Sequence, residues 1–161
     1  MFDKYVDINY CCFVSSAKLL PYETTVMVKD RCLCLHVQRA ARALARRFDE
    51  ELRPFDLTNG QFSLLMSLNR HEPPPMGPIA SLLAMDRTTL TAALKPLERR
   101  GLVKIENDPS DRRSRILILT DKGRTLLARA LPVWKITHEE IEKQVPTIDW
   151  DELRSNLRAI S

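Results

Sequence analysis

Apolar residues recur at Leu90, Ala93, Leu94 and Leu97, the i, i+3, i+4, i+7 spacing of one helical face. The same period runs through Cys34, Val37, Ala41, Leu44 and Phe48, and returns at Leu153, Leu157 and Ile160. These stripes predict a long helix from Asp30 to just before Pro54, a second over "MDRTTLTAALKPLERR" and a last one in "DWDELRSNLRAI". Asp86 is placed to cap the middle helix, because a carboxylate accepts from the free N–H groups of a first turn. Gly101 is placed to stop it, because glycine turns left-handed without a Cβ penalty. A helix capped by Thr58 covers "TNGQFSLLMSLNRH"; "EPPPMGP" breaks it, since proline cannot continue the ladder, and "MGPIASLLA" forms a short helix after the break. The period then shortens. "LVKIE" and "RILILT" have strand composition, and "NDPSD" between them has turn chemistry, which predicts a β-hairpin. A further long helix begins near Asp121, with Pro132 expected to kink it. Residues 1–30 show no sustained period and read as an irregular extension.

A short helix, a tight turn, a second helix and a hairpin with a basic tip predict a mainly α fold with a small β wing, the winged helix-turn-helix. Charge sharpens that picture. Asp86 to Arg115 holds eight Lys/Arg against five Asp/Glu, so this one segment carries +3 of the chain's net +4. The polar face of the second helix presents Arg87, Thr88, Thr91, Lys95 and Arg99, donors rather than the mixed charge of an ordinary solvated helix. Donors gathered on one unit suit a polyanion, and the predicted partner is double-stranded DNA. The start of such a helix fits the major groove, where Arg87 can donate twice to a guanine edge while Thr88, Thr89 and Thr91 reach phosphates or a thymine methyl. Arg112, Arg113 and Arg115 at the wing are placed for phosphates or the negative minor groove.

Other classes of function fit less well. No stretch reaches the roughly 20 apolar residues of a membrane span, and the first residues lack the pattern of a secretory signal. A cytoplasmic protein with reduced cysteines is the resulting expectation. No phosphate loop or nucleophile motif is present, so no enzyme and no cofactor is expected, and His71 and His138 read as surface or packing histidines. "CLCLH" invites a metal through Cys32, Cys34 and His36, but side chains two apart on a helix diverge, so no metal is expected.

At "LTNGQFSLL", "MDRTTLTAALKPLERRGLV", "DPSDRRSRILILTDKG" and "LPVWKITHEEIE" the chain resembles the MarR family of multiple-antibiotic-resistance-type regulators, in the family's order over residues 31–160. The resemblance implies a homodimer reading a pseudo-palindromic operator. Residues 31–57 would form a first dimerisation helix, 58–120 the winged DNA-binding domain and 121–161 the C-terminal dimerisation helices. It also implies that Asp111 braces the wing while Arg113 enters the minor groove. The function expected is a repressor released by a small apolar or aromatic ligand. Cys34 falls where the family's peroxide-sensing branch carries its reactive cysteine, although the supporting tyrosines of that branch are Gln38, Phe48 and Asn59 here. Oxidation of Cys34 is therefore an alternative switch, set against a cysteine that only packs. A winged helix used for protein contact is the alternative from another class.

Overall fold

The computed structural model describes residues 20–109, 111 and 113–160. The chain divides into two compact units between Arg39 and Ala40.

In the first unit, helix α1 spans Tyr22–Arg31, where the sequence pattern indicates only an irregular extension. The difference has a physical reason: α1 buries no residue, so no apolar stripe announces it. Local terms favour it, with Glu23 in its first turn and Lys29 and Arg31 in its last, each matching the helix dipole. The remainder of the expected extension, including Cys11 and Cys12, lies outside the described residues. Helix α2, Leu33–Leu52, begins in this unit and crosses into the second. Cys32 stands at its start, and its Sγ accepts the Leu35 N–H at 3.4 Å. Cys34, on the stripe that predicted α2, is exposed rather than packed within the chain.

The second unit holds the hydrophobic core. After α2, a 3-10 turn at Arg53–Phe55 leads into α3, Asn59–Ser67. Thr58 and Gln61 form a reciprocal capping box there: Thr58 Oγ1 accepts the Gln61 N–H at 3.2 Å, and Gln61 Oε1 accepts the Thr58 N–H at 3.1 Å. Helix α4, Met76–Leu82, and helix α5, Arg87–Arg99, follow. Strands β1, Val103–Asn107, and β2, Arg115–Leu119, pair antiparallel with Val103 opposite Leu119 and Asn107 opposite Arg115. Helix α6, Asp121–Gln144, continues through Pro132, and α7 covers Trp150–Ala159.

One cluster joins α2 to α6: Phe48 and Leu52 of α2, Phe62, Leu64 and Leu65 of α3, Ile79 of α4, Leu90, Leu94 and Leu97 of α5, Leu102 just before β1, Val103, Leu117 and Leu119 of the hairpin, and Leu127 and Ala130 of α6. Gly123 shows how tightly α6 seats on the hairpin. A Cβ there would run into the Leu102 carbonyl oxygen and lie 2.7 Å from Leu119 Cδ1. Farther along α6, Trp134 stacks on Phe48 and Phe62 at centroid distances of 6.3 and 6.0 Å, and the His138 ring lies 4.9 Å from Trp134. His138 is thus a packing residue. Its Nδ1 sits 3.3 Å from Glu142, which also receives Arg154 of α7 at 2.7 Å.

Candidate nucleic-acid interface

Helix α5 is anchored before it is functional. Leu90, Leu94 and Leu97 are fully buried, and burying a leucine contributes about 1.5–3 kcal/mol. With that face filled, the helix has one orientation left, and Arg87, Thr88, Thr89, Lys95 and Arg99 are exposed. Asp86 holds the first turn: Oδ1 accepts the Thr89 N–H at 2.8 Å and Oδ2 accepts the Thr89 hydroxyl at 2.7 Å. These bonds, the hydroxyl's first, hold the Asp86 carboxyl below the usual aspartate range. The turn between α4 and α5 passes through Ala84 at φ 50°, a left-handed conformation usually left to glycine. At the other end Gly101 adopts φ 69° and closes the helix as its sequence position predicts.

The hydroxyls are not equivalent. Thr89 donates to Asp86, and half-buried Thr91 donates back to the Arg87 carbonyl at 2.7 Å. Thr88 alone of the three has its hydroxyl uncommitted among the described residues. The Arg87 guanidinium extends over the start of α4, with Nη2 4.0 Å from where a Cβ on Gly77 would stand. Gly77, in the first turn of α4, has no side chain to compete for that space.

The wing tip is closed by its own aspartate. Asp111 Oδ1 accepts the Arg113 N–H at 2.9 Å, and the Asp111 carbonyl accepts the Ser114 N–H at 2.8 Å. Asp108 N–H donates to the Ser114 carbonyl at 3.1 Å. Arg113 and Arg115 are exposed on this hairpin, while Arg112 lies outside the described residues.

Two supports were not read from the sequence. Pro75 bridges to Ile116, and the Pro74 carbonyl accepts the Leu117 N–H at 3.0 Å, so the proline run that breaks the helix also gives β2 a short third neighbour. Proline suits that edge, where its missing N–H would find no partner. The other is Arg100, which appears in sequence as one more positive charge. Its guanidinium donates to the Phe55 and Asp56 carbonyls and lies 3.4 Å from the Asp56 carboxylate, fixing the left-handed Asp56 ahead of α3. Three-residue spacing gives no sign of a partner 44 positions away.

A capped helix following a short helix, with a braced basic hairpin beside it in the chain, defines a winged helix-turn-helix. The MarR family profile matches residues 57–114. NicR, an HTH-type transcriptional repressor of Pseudomonas putida, is 31% identical over 73% of this chain and 73% of its own. TtmR, an HTH-type transcriptional regulator of Methylorubrum extorquens, is 39% identical over 60% of this chain, and the match spans only half of TtmR's length. The crystal structure of the M. tuberculosis regulator MosR in complex with DNA superimposes with a TM-score of 0.73 at 35% identity, covering 81% of this chain and 93% of that one. The chain belongs to the MarR family, and it is a DNA-binding transcriptional regulator rather than an enzyme. No described helix is long and apolar enough to cross a membrane.

Proposed function

We propose that the chain acts as a homodimeric repressor that reads a pseudo-palindromic operator and is released by a small apolar or aromatic ligand. The observation that carries the DNA reading is the exposed face of α5, set by three buried leucines and holding Arg87, Thr88, Lys95 and Arg99 outward. In this reading Arg87 donates to a base edge and Thr88 to a phosphate. Thr89 and Thr91 work mainly through the helix start that they stabilise. Arg113, whose backbone N–H is held by Asp111, enters the minor groove, with Arg112 and Arg115 toward phosphates.

Dimerisation is supported by apolar side chains that one chain leaves uncovered. Val37 and Leu44 on α2, Leu157 on α7 and Ile160 at its C-terminal end are exposed although they lie on regular stripes. A two-fold partner covering them would set two winged domains on half-sites about one helical turn apart. The repressor role is favoured by the relative NicR, a repressor by name. Oxidation is the second reading, favoured by the exposure of Cys34.

Recovering genomic DNA fragments bound by the native protein and footprinting them tests the proposal. Two protected half-sites, and increased transcription of the adjacent gene when the protein is removed, are expected. Protection of a single half-site by a monomer, or unchanged transcription, contradicts it. Release by hydroperoxide that disappears in Cys34→Ser would replace the ligand with oxidation as the switch.

A further inference from the structure

Helix α5 ends in a joint that its leucines do not supply. Burial of Leu90, Leu94 and Leu97 sets which face turns inward. Hydrophobic burial is non-directional, however, and leaves the tilt of the helix axis open. The tilt meets a directional constraint at Arg100, which caps α5. Its guanidinium uses one nitrogen on the Asp56 carbonyl and the other on the Phe55 carbonyl, lies 3.4 Å from the Asp56 carboxylate, and is only 28% exposed. The backbone at this point is held separately. Lys122 Nζ donates to the Arg100 carbonyl and Thr120 Oγ1 to that of left-handed Gly101, both at 2.8 Å. The corner that receives the guanidinium is itself stiff. Asp56 N–H donates to the Arg53 carbonyl at 2.9 Å, Leu57 N–H to the Leu52 carbonyl at 3.4 Å, and Asp49 of α2 accepts the Asn59 N–H at 2.6 Å. Arg100 therefore joins α5 to the end of α2, the helix on which Leu44 stands uncovered.

We infer that Arg100 is a positioning residue: it sets the tilt of α5 against α2, and through that tilt the half-site spacing that the protein accepts. The inference rests on the homodimer reading above. The 13 residues of α5 put Arg87 roughly 20 Å from the Arg100 end. A swing of about 10° at that end carries Arg87 about 3.5 Å, close to the rise of one base pair. One added base pair also turns a half-site by about 35° around the duplex. A fork of two charged donors on two carbonyls resists such a swing, because both bonds weaken as their angles change. The guanidinium is directed at the corner and not at an operator held by Arg87. Its effect falls on geometry, not on phosphate neutralisation.

Fluorescence anisotropy of the full-length protein tests this on the mapped operator and on operators whose spacer is one base pair longer or shorter. Wild type should bind either altered spacer about tenfold more weakly, the order of one lost base contact. Arg100→Gln, which removes the charged fork, should shrink that ratio to about threefold or less. Arg100→Lys keeps the charge without the planar fork and should fall between the two. The ratio between spacers is independent of the folded fraction, so it moves only if geometry moves. Arg100→Gln that weakens all three operators alike, or that keeps the wild-type ratio, overturns the inference and leaves Arg100 a stabilising residue. A salt slope lowered by about one in Arg100→Gln would make it a phosphate contact instead, which also overturns it. Should Arg100→Gln fail to fold, Arg100→Lys decides alone, and a wild-type ratio in that variant overturns the inference. Wild type that binds all three spacers equally would remove the homodimer reading and the inference together. A wild-type preference that survives in both variants removes only the role of Arg100.

Discussion

Helices α5 and α7 look alike in sequence and behave differently in the fold. Each is amphipathic, and each starts at an aspartate whose side chain accepts first-turn N–H groups, Asp86 for α5 and Asp149 for α7. In α5 the apolar face is filled by the chain itself, with Leu90, Leu94 and Leu97 wholly buried. In α7 no residue is buried, and Leu157 and Ile160 remain 40% and 63% exposed. The same period therefore serves two ends. One stripe turns the donor-rich face of its helix outward; the outer end of the other stripe stays uncovered, and hydrogen bonds to Glu142 link α7 to α6. Those bonds run from Arg154 to the Glu142 carboxylate at 2.7 Å and from Trp150 Nε1 to the Glu142 carbonyl at 3.2 Å.

Substitutions should separate the two helices sharply. Leu94→Ala empties a sealed site and should destabilise the fold by about 2–5 kcal/mol, read by urea unfolding. A loss below about 0.5 kcal/mol, typical of surface positions, would mean that α5 is not held by its core face. Leu157→Ser with Ile160→Ser should barely move unfolding of the chain when it is dilute. Sedimentation at micromolar concentration should instead shift from dimer to monomer. A doubly substituted protein that still sediments as a dimer would remove α7 from the interface.

Smaller effects refine what anchors α5. Ala84→Gly relieves a left-handed residue and should raise stability by up to about 1–2 kcal/mol, checked by thermal unfolding. An unchanged or lowered Tm would place the constraint elsewhere. The Asp86 cap contributes a pH dependence of known sign. Its folded-state pKa is lowered, so its contribution is complete above the ordinary aspartate range and is lost as pH falls through the lowered value. Asp86→Asn, which keeps an acceptor but not the charge, should flatten the acid limb of Tm against pH. An unaltered limb would assign acid sensitivity to other carboxyls, such as Asp151, which Arg154 also holds low.

The comparison also shows what could be read in advance. Asp86, Gly101 and the leucine stripe of α5 were legible because capping, left-handed closure and burial are local or periodic. The hairpin and the Thr58 cap were legible for the same reason. Helix α1 was not, since it buries nothing and so leaves no stripe. The pairing of Pro74 and Pro75 with β2 was hidden because three prolines signal a break before they signal an edge. Arg100 reads in sequence as one more charge, whereas its role depends on Phe55 and Asp56, which only the fold brings near. The inward donation by Thr91 was likewise invisible in a pattern that records only that a hydroxyl is present.

The central claim is that the start of α5 reads bases while the wing mainly adds affinity. Its most direct test is operator binding across a salt series for wild type, Arg87→Ala and Arg113→Ala, on the mapped site and on versions with single base-pair changes. Arg87→Ala should lose about 1–3 kcal/mol of discrimination at one base pair in each half-site. Arg113→Ala should weaken all sequences alike and reduce the slope of log affinity against log salt by about one. If Arg87→Ala weakens every sequence equally and leaves base preference intact, α5 does not read the operator through Arg87.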